Sequence, residues 1–136
     1  MRTVQTITLD DARRIIAAGE KEADAQGQPV NIAVVDVGGS LVAHVRQDGA
    51  WLGSVDIAIN KAFSARAFDI STATLAESSQ PGDQFYGIAD SNQGRVVIFG
   101  GGLPLMSGDA VVGAVGVSGG TGDQDQAIAK AAAAAL

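Results

Sequence analysis

The sequence predicts an α/β fold, a single domain whose mixed, mostly antiparallel five-stranded sheet is packed with helices. Three observations carry this prediction. Two β-branched runs flank the pair Gly38-Gly39, a hairpin signal. Segments at the start, middle and end place apolar or small residues at helical spacing. Three further short apolar runs lie between Arg95 and Ser118. The resulting order is helix, hairpin, helix, three strands, helix, which favours helices layered on one sheet. At 136 residues, two domains would each be too small to bury a core.

Thr8 begins the first helix. Its hydroxyl can accept from the open N–H groups of the following turn, and Asp10 and Asp11 sit where the helix dipole favours negative charge. Leu9, Ala12, Ile15, Ile16 and Gly19 form one apolar stripe, and Gly27 and Pro29 end the helix. The hairpin VNIAVVDVGGSLVAHVRQDG follows. On its second strand Leu41, Ala43 and Val45 share one face, while Val42, His44 and Arg46 share the other. From about Trp51 to Phe68 a second helix carries the small-residue face Ala58, Ala62 and Ala65, with Lys61 and Ser64 close to it.

Ser71 to Gln84 is a polar stretch with room for one short helical turn, broken at Pro81-Gly82, and suits a lid or a subunit contact. Arg95 to Phe99 reads as a strand, followed by the Gly100-Gly101-Gly102 bend. Leu103 to Met106 is extended, Ser107-Gly108-Asp109 turns the chain, and Ala110 to Ser118 is a strand. Gly119-Gly120-Thr121-Gly122 leads into a final helix capped by Thr121 or Asp123. The closing alanine run continues that helix.

Composition narrows the function classes. No cysteine is present, which removes disulfides, thiolate metal sites and cysteine nucleophiles. A formal charge of -6 argues against binding nucleic acid or anionic lipid. Met1 to Asp11 lacks a basic-then-apolar opening, and no apolar span is long enough to cross a membrane, so a cytoplasmic location is expected. The chain has 18 glycines but only six aromatic residues, so its core must be built from small side chains. Domains of this kind often complete their burial against copies of themselves, and a homo-oligomer is expected.

Four segments in order carry a resemblance that covers nearly the whole chain: VNIAVVDVGGSLVAHVR with the following DGA, IAINKAFSARAF, GGLPLMSGDAVVGAVGVSGG, and the D-x-x-x-A start of the closing helix. Together they resemble the GlcG/HbpS-like, or haem-degrading, family. The resemblance implies a profilin-like or PAS-like α/β domain assembled as a symmetric oligomer around small-molecule sites. The functions it implies are diverse: haem binding, corrinoid-linked domains, and proteins encoded beside catabolic pathways. Within the family pattern Lys61-Ala62 is a hallmark; the threonine-alanine pair that often follows is Ser64-Ala65 here, which keeps the hydroxyl.

Several side chains are candidates for chemistry. His44, the one histidine, suits a general acid/base or an axial haem ligand, or else a polar strand residue under a neighbour. Arg46 lies two residues on, on the same face, where its fork can clamp a carboxylate while His44 moves a proton. Lys61, among Ala, Ile and Phe, is expected to be desolvated, which lowers its pKa and suits a base, a nucleophile or an anion anchor; the alternative is a lysine paired with a nearby acid. Asp36, before the glycine turn, is either catalytic or an acceptor for turn N–H groups. Glu77 is a candidate acid or solvated surface, and Asp123 and Asp125 read as helix-start residues. Ser64, Gly119, Gly120 and Thr121 are candidate substrate-binding residues, the last three because a glycine turn before a helix presents N–H groups to an anion. The turn lacks a P-loop lysine, so a small carboxylate fits it better than a nucleotide.

Two functional readings follow. The preferred one is a cytoplasmic catabolic enzyme, without metal or redox cofactor, that acts on a small unsaturated or oxo carboxylic acid as a tautomerase, deaminase or other hydrolase. The alternative is a haem- or tetrapyrrole-binding protein, or a non-catalytic accessory subunit. For haem, His44, Tyr86 and two methionines are the ligand supply, and few aromatic residues are present to wall a pocket.

Overall fold

The Gly38-Gly39 turn joins β1 (Asn31–Asp36) to β2 (Leu41–Arg46) as an antiparallel hairpin, and Ser107-Gly108-Asp109 joins β3 (Gly102–Ser107) to β4 (Ala110–Ser118) in the same way. The two hairpins meet along an antiparallel β1–β4 pairing in which Ala33 faces Gly116 and Val34 faces Val115. The computed structural model describes residues 1–136, and its sheet has four strands in the order β2-β1-β4-β3. The helices are α1 (Leu9–Gln26), α2 (Gly53–Phe68), α3 (Thr72–Glu77) and α4 (Gly122–Ala133), with short 3₁₀ turns at Ile88–Asp90 and Asn92–Gly94.

Strand alternation divides the sheet into two unlike faces. One carries Ile32, Val34, Val115, Val117 and Leu105 into the main core, where they meet Ile15 and Ile16 of α1 and Ile128 of α4. Ile15, Ile32 and Ile128, each fully buried, contribute roughly 1.5–3 kcal/mol apiece. The opposite face is built of small residues. There Val35 and Ala114 pack against Ala62 and Ala65 of α2. At Gly116 the approach is so close that a Cβ would sit 2.0 Å from the Ala58 carbonyl oxygen. The small-residue face of the second helix therefore sets how near α2 lies to the sheet.

Both ends of the chain's long helical layer are capped as the residues suggest. Thr8 accepts from the Asp11 amide while the Asp11 side chain accepts from Thr8, closing a capping box at α1. Thr121 and Gln124 close a second one at α4.

One expectation needs correction, and the short helical turn expected after Ser71 is present as a six-residue helix. The expected five-stranded sheet has four strands, because Arg95 to Phe99 does not pair with it. That run is β-branched and reads as strand, but the Val97 amide donates to the Ser64 side chain at 2.9 Å instead of joining a ladder. Tertiary context overrides propensity here. The polar stretch after Ile70 holds a true helix, α3, whose start is capped by the Ser71 hydroxyl accepting from the Thr74 amide.

Candidate functional site

His44 lies in the middle of β2, on the same sheet face as α2, with its Nε2 3.1 Å from Oδ1 of the buried Asn31. The Asn31 amide is orientated by its other end, where Nδ2 donates to the Trp51 carbonyl at 3.1 Å. An amide oxygen only accepts, so Nε2 carries the imidazole proton and Nδ1 keeps its lone pair. Burial, followed by the charge of Arg46, lowers the His44 pKa from 6.5, so the ring is neutral near pH 7. Arg46 is exposed and forms no ion pair. It lines an open cavity of about 620 Å³ with Glu20, Asp24, Gln47 and Asp48. Exposed Leu41, Trp51 and Leu52 belong to the strand and helix start that flank this histidine.

Lys61 is elsewhere and plays another part. Its side chain is fully out of solvent and its ammonium donates to the Val117 carbonyl at 2.8 Å and to Asp125 at 3.0 Å. The Phe99 ring lies over it, 4.9 Å to the centroid. Desolvation lowers the Lys61 pKa from 10.5, as the sequence suggested, with the Asp125 charge opposing the shift. None of the three principal cavities is lined by Lys61 or by His44. Lys61 is a brace between α2, β4 and α4, and it does not meet His44 in a shared pocket.

The glycine turn is likewise occupied from within. The Gly120 amide donates to Asp125 Oδ1 at 2.8 Å, and the Thr121 amide to Gln124 Oε1 at 2.9 Å. The Gly119 carbonyl accepts from the Gln28 side chain. The carboxylate held at this helix start is the chain's own Asp125, a residue that its position alone had suggested was a simple N-terminal acid. Asp36 takes the turn role, with Oδ1 accepting from the Gly38 and Ser40 amides. Glu77 is exposed at the end of α3 and forms no ion pair. Ser64 is buried, donates to the Asn60 carbonyl at 2.7 Å and accepts from the Val97 amide. Of the predicted site residues, His44 and Arg46 share one face, and Lys61 and Gly120 meet on the Asp125 carboxylate. Asn31 joins the first pair; neither its type nor its place on a buried strand marked it, and only the hairpin register brings it beside His44.

Residues 7–134 match the family model described as haem degrading protein HbpS-like. The chain belongs to the HbpS-like family. A 15.0 kDa protein from the dhaT-dhaS intergenic region of Citrobacter freundii is 43% identical over 129 residues, covering 95% of this chain and 91% of that one. The corrinoid adenosyltransferase PduO of Salmonella typhimurium is 34% identical over 134 residues. This HbpS-like chain spans 40% of PduO's length, with 98% of its own residues aligned.

Among solved structures, Klebsiella pneumoniae protein ORFY superposes with a TM-score of 0.96 at 45% identity, covering 100% of this chain and 96% of that one. A PduOC:haem complex follows with a TM-score of 0.92 at 34% identity, covering 96% of this chain and 95% of that one. A double mutant of HbpS from Streptomyces reticuli has a TM-score of 0.91 at 31% identity, covering 100% of this chain and 90% of that one.

These likenesses overturn the preferred expectation of a cofactor-independent catabolic enzyme acting on a small unsaturated or oxo acid. The fold matches a haem complex and HbpS, and the residues meant to form the acid site are dispersed: Lys61 is sealed in an ion pair, Asp36 is tied into a turn, and the glycine turn is filled by Asp125. No group of three or more His, Cys, Asp or Glu side chains is assembled that could hold a metal ion. No helix is long and apolar enough to cross a membrane.

Proposed function

We propose that this HbpS-like chain is a haem- or tetrapyrrole-binding module that works as a homo-oligomer. The observation that carries the reading is the whole-chain likeness to the PduOC:haem complex, with a TM-score of 0.92 over 96% of this chain. The residues around His44 fit a flat amphipathic group with carboxylate arms. His44 offers a neutral imidazole whose Nδ1 lone pair is free of protein partners, which is the protonation state that ligates iron. Arg46 offers an unpaired guanidinium fork, suited to a propionate carboxylate, so the expected carboxylate partner becomes part of the tetrapyrrole. Trp51 and Leu52 offer exposed apolar area for the ring. Bound haem supplies the iron and its ligand or redox chemistry; the chain supplies the imidazole, the anion clamp and the apolar surface.

A second copy completes the reading. Leu41, Trp51, Leu52, Phe85, Tyr86 and Phe99 are all exposed on one chain, apolar surface that a second copy can cover. The test is a haemin titration followed at the Soret band, with sedimentation velocity on the same samples. Saturation at one haem per chain or per pair of chains is expected. His44→Ala is expected to abolish the saturable band change, and Arg46→Gln to weaken binding about tenfold. A non-saturating titration, unchanged by His44→Ala, overturns the proposal.

A further inference from the structure

We propose that Arg95 and Arg66, set against the Phe63 ring, form a binding site for a small carboxylate or phosphate group, separate from the His44 face. Arg95 is held for this by three independent constraints. Its guanidinium carbon lies 3.8 Å from the centroid of the Phe63 ring, so the fork rests against the aromatic face. Its Nε donates to the Asn92 carbonyl at 3.1 Å. Its backbone is pinned by Ser64, whose hydroxyl lies 3.1 Å from the Arg95 carbonyl and accepts from the Val97 amide two residues on. The two terminal nitrogens of Arg95 have no acceptor in the protein, and Arg95 belongs to no ion pair.

Arg95 is exposed, and in a chain of formal charge -6, where carboxylates outnumber cations, its stacked guanidinium is one that no carboxylate of the chain has claimed. Arginine forks pair with planar oxyanions through two parallel N–H bonds, and an ordered fork loses little entropy in doing so. Phe63, on whose ring Arg95 rests, also lines a cavity of about 210 Å³ together with Val37, Gly38, Gly39, Arg66 and Ala67. Arg66 sits three residues after Phe63 on α2, with Nε donating to the Val37 carbonyl and Nη1 to Asp69, which leaves Nη2 available. The nearby acids are already engaged: Asp69 by Arg66, and Asp36 Oδ1 by the Gly38 and Ser40 amides. The cavity's apolar lining of Val37, Ala67 and the Phe63 edge leaves space for a short hydrocarbon body behind the anionic group. Ser64 thus gains a positioning role, through Arg95, in place of direct substrate contact.

The site and the His44 face lie at opposite ends of the hairpin. Phe63 approaches Gly39 in the β1–β2 turn, whereas Asn31, which contacts both His44 and Trp51, begins β1.

Heteronuclear NMR at constant ionic strength tests the site, with inorganic phosphate in one arm and benzoate in the other. The Arg95 Nε–H and the Gly38 and Gly39 amides are expected to shift saturably with at least one probe, and the responding arm identifies the anion class. Arg95→Lys keeps the charge but loses the fork and the stack, and is expected to weaken binding about tenfold. Arg95→Gln with an unchanged melting temperature is expected to remove binding, and His44→Ala to leave it unaltered. Absence of saturable shifts in both arms, equal affinity in Arg95→Lys, or shifts centred on His44 and Arg46 each overturn the proposal.

Discussion

Lys61 and Asp125 pair at 3.0 Å with both side chains buried, and the pair joins α2 to α4 around the end of β4. Sixty-four residues separate them in sequence. Two charges taken out of water are tolerated because each is paired and hydrogen-bonded: the ammonium donates to Val117 and Asp125 beside the Phe99 ring, and the carboxylate accepts from Lys61 and the Gly120 amide. Removing one partner strands the other. Lys61→Ala or Asp125→Ala is therefore expected to lose about 3–5 kcal/mol in urea unfolding. The double variant Lys61→Met with Asp125→Asn keeps an acceptor for Gly120 and removes both charges. It is expected to be more stable than either single variant; a loss equal to the sum of the singles would show that the charges are not coupled.

Gly116 controls the distance between α2 and the sheet. An added Cβ would meet the Ala58 carbonyl oxygen at 2.0 Å and the Ala62 amide nitrogen at 2.5 Å, and neither is the end of a flexible side chain. Gly116→Ala must push the helix away along its length. A loss at the upper end of roughly 1–3 kcal/mol is expected, with a lowered melting temperature as the readout. Gly108→Ala meets no atom within 4 Å but places an alanine at φ 61°, so its smaller cost isolates backbone strain from collision.

Much of this architecture was legible in the sequence because its signals are local. Thr8 and Thr121 cap helices through contacts three residues away, Gly38-Gly39 turns a hairpin within itself, and Ala58, Ala62 and Ala65 align on one helix face. Arg95 to Phe99 was misread because its β-branched run carries the same local signal as a paired strand. Its amide partner, the Ser64 hydroxyl, is supplied by a helix some thirty residues earlier. The site was harder still. His44 and Arg46 share a face by simple alternation, whereas the partners of Lys61 and His44 depend on how distant elements dock. Residue type showed that Lys61 would be desolvated but not that Asp125 would already be waiting for it.

Ser64 ties α2 to the segment that carries Arg95. In Ser64→Ala the Val97 amide, only partly exposed, loses its acceptor, and the Asn60 carbonyl loses a donor. A loss of about 1–3 kcal/mol is expected. Hydrogen exchange at Val97 is expected to rise far more than exchange in β1 or β4, which marks the effect as local. Ser64→Thr preserves the hydroxyl and should restore much of the protection if the added methyl is accommodated.

His44 links pH to both stability and binding. Its folded pKa lies below 6.5 because burial, then the Arg46 charge, disfavours the imidazolium. Between that lowered value and 6.5 the unfolded chain binds more protons than the folded one, so stability rises with pH through the window. The stabilising contribution is complete above 6.5 and is lost as pH falls through the folded pKa. The stability of the native chain relative to His44→Gln is therefore expected to decline as pH drops below 6.5. A pH-independent difference would mean that the folded environment does not shift the imidazole. Removing the Arg46 charge isolates the second cause: in Arg46→Gln the His44 pKa followed by NMR should rise, while burial of the ring continues to hold it below 6.5.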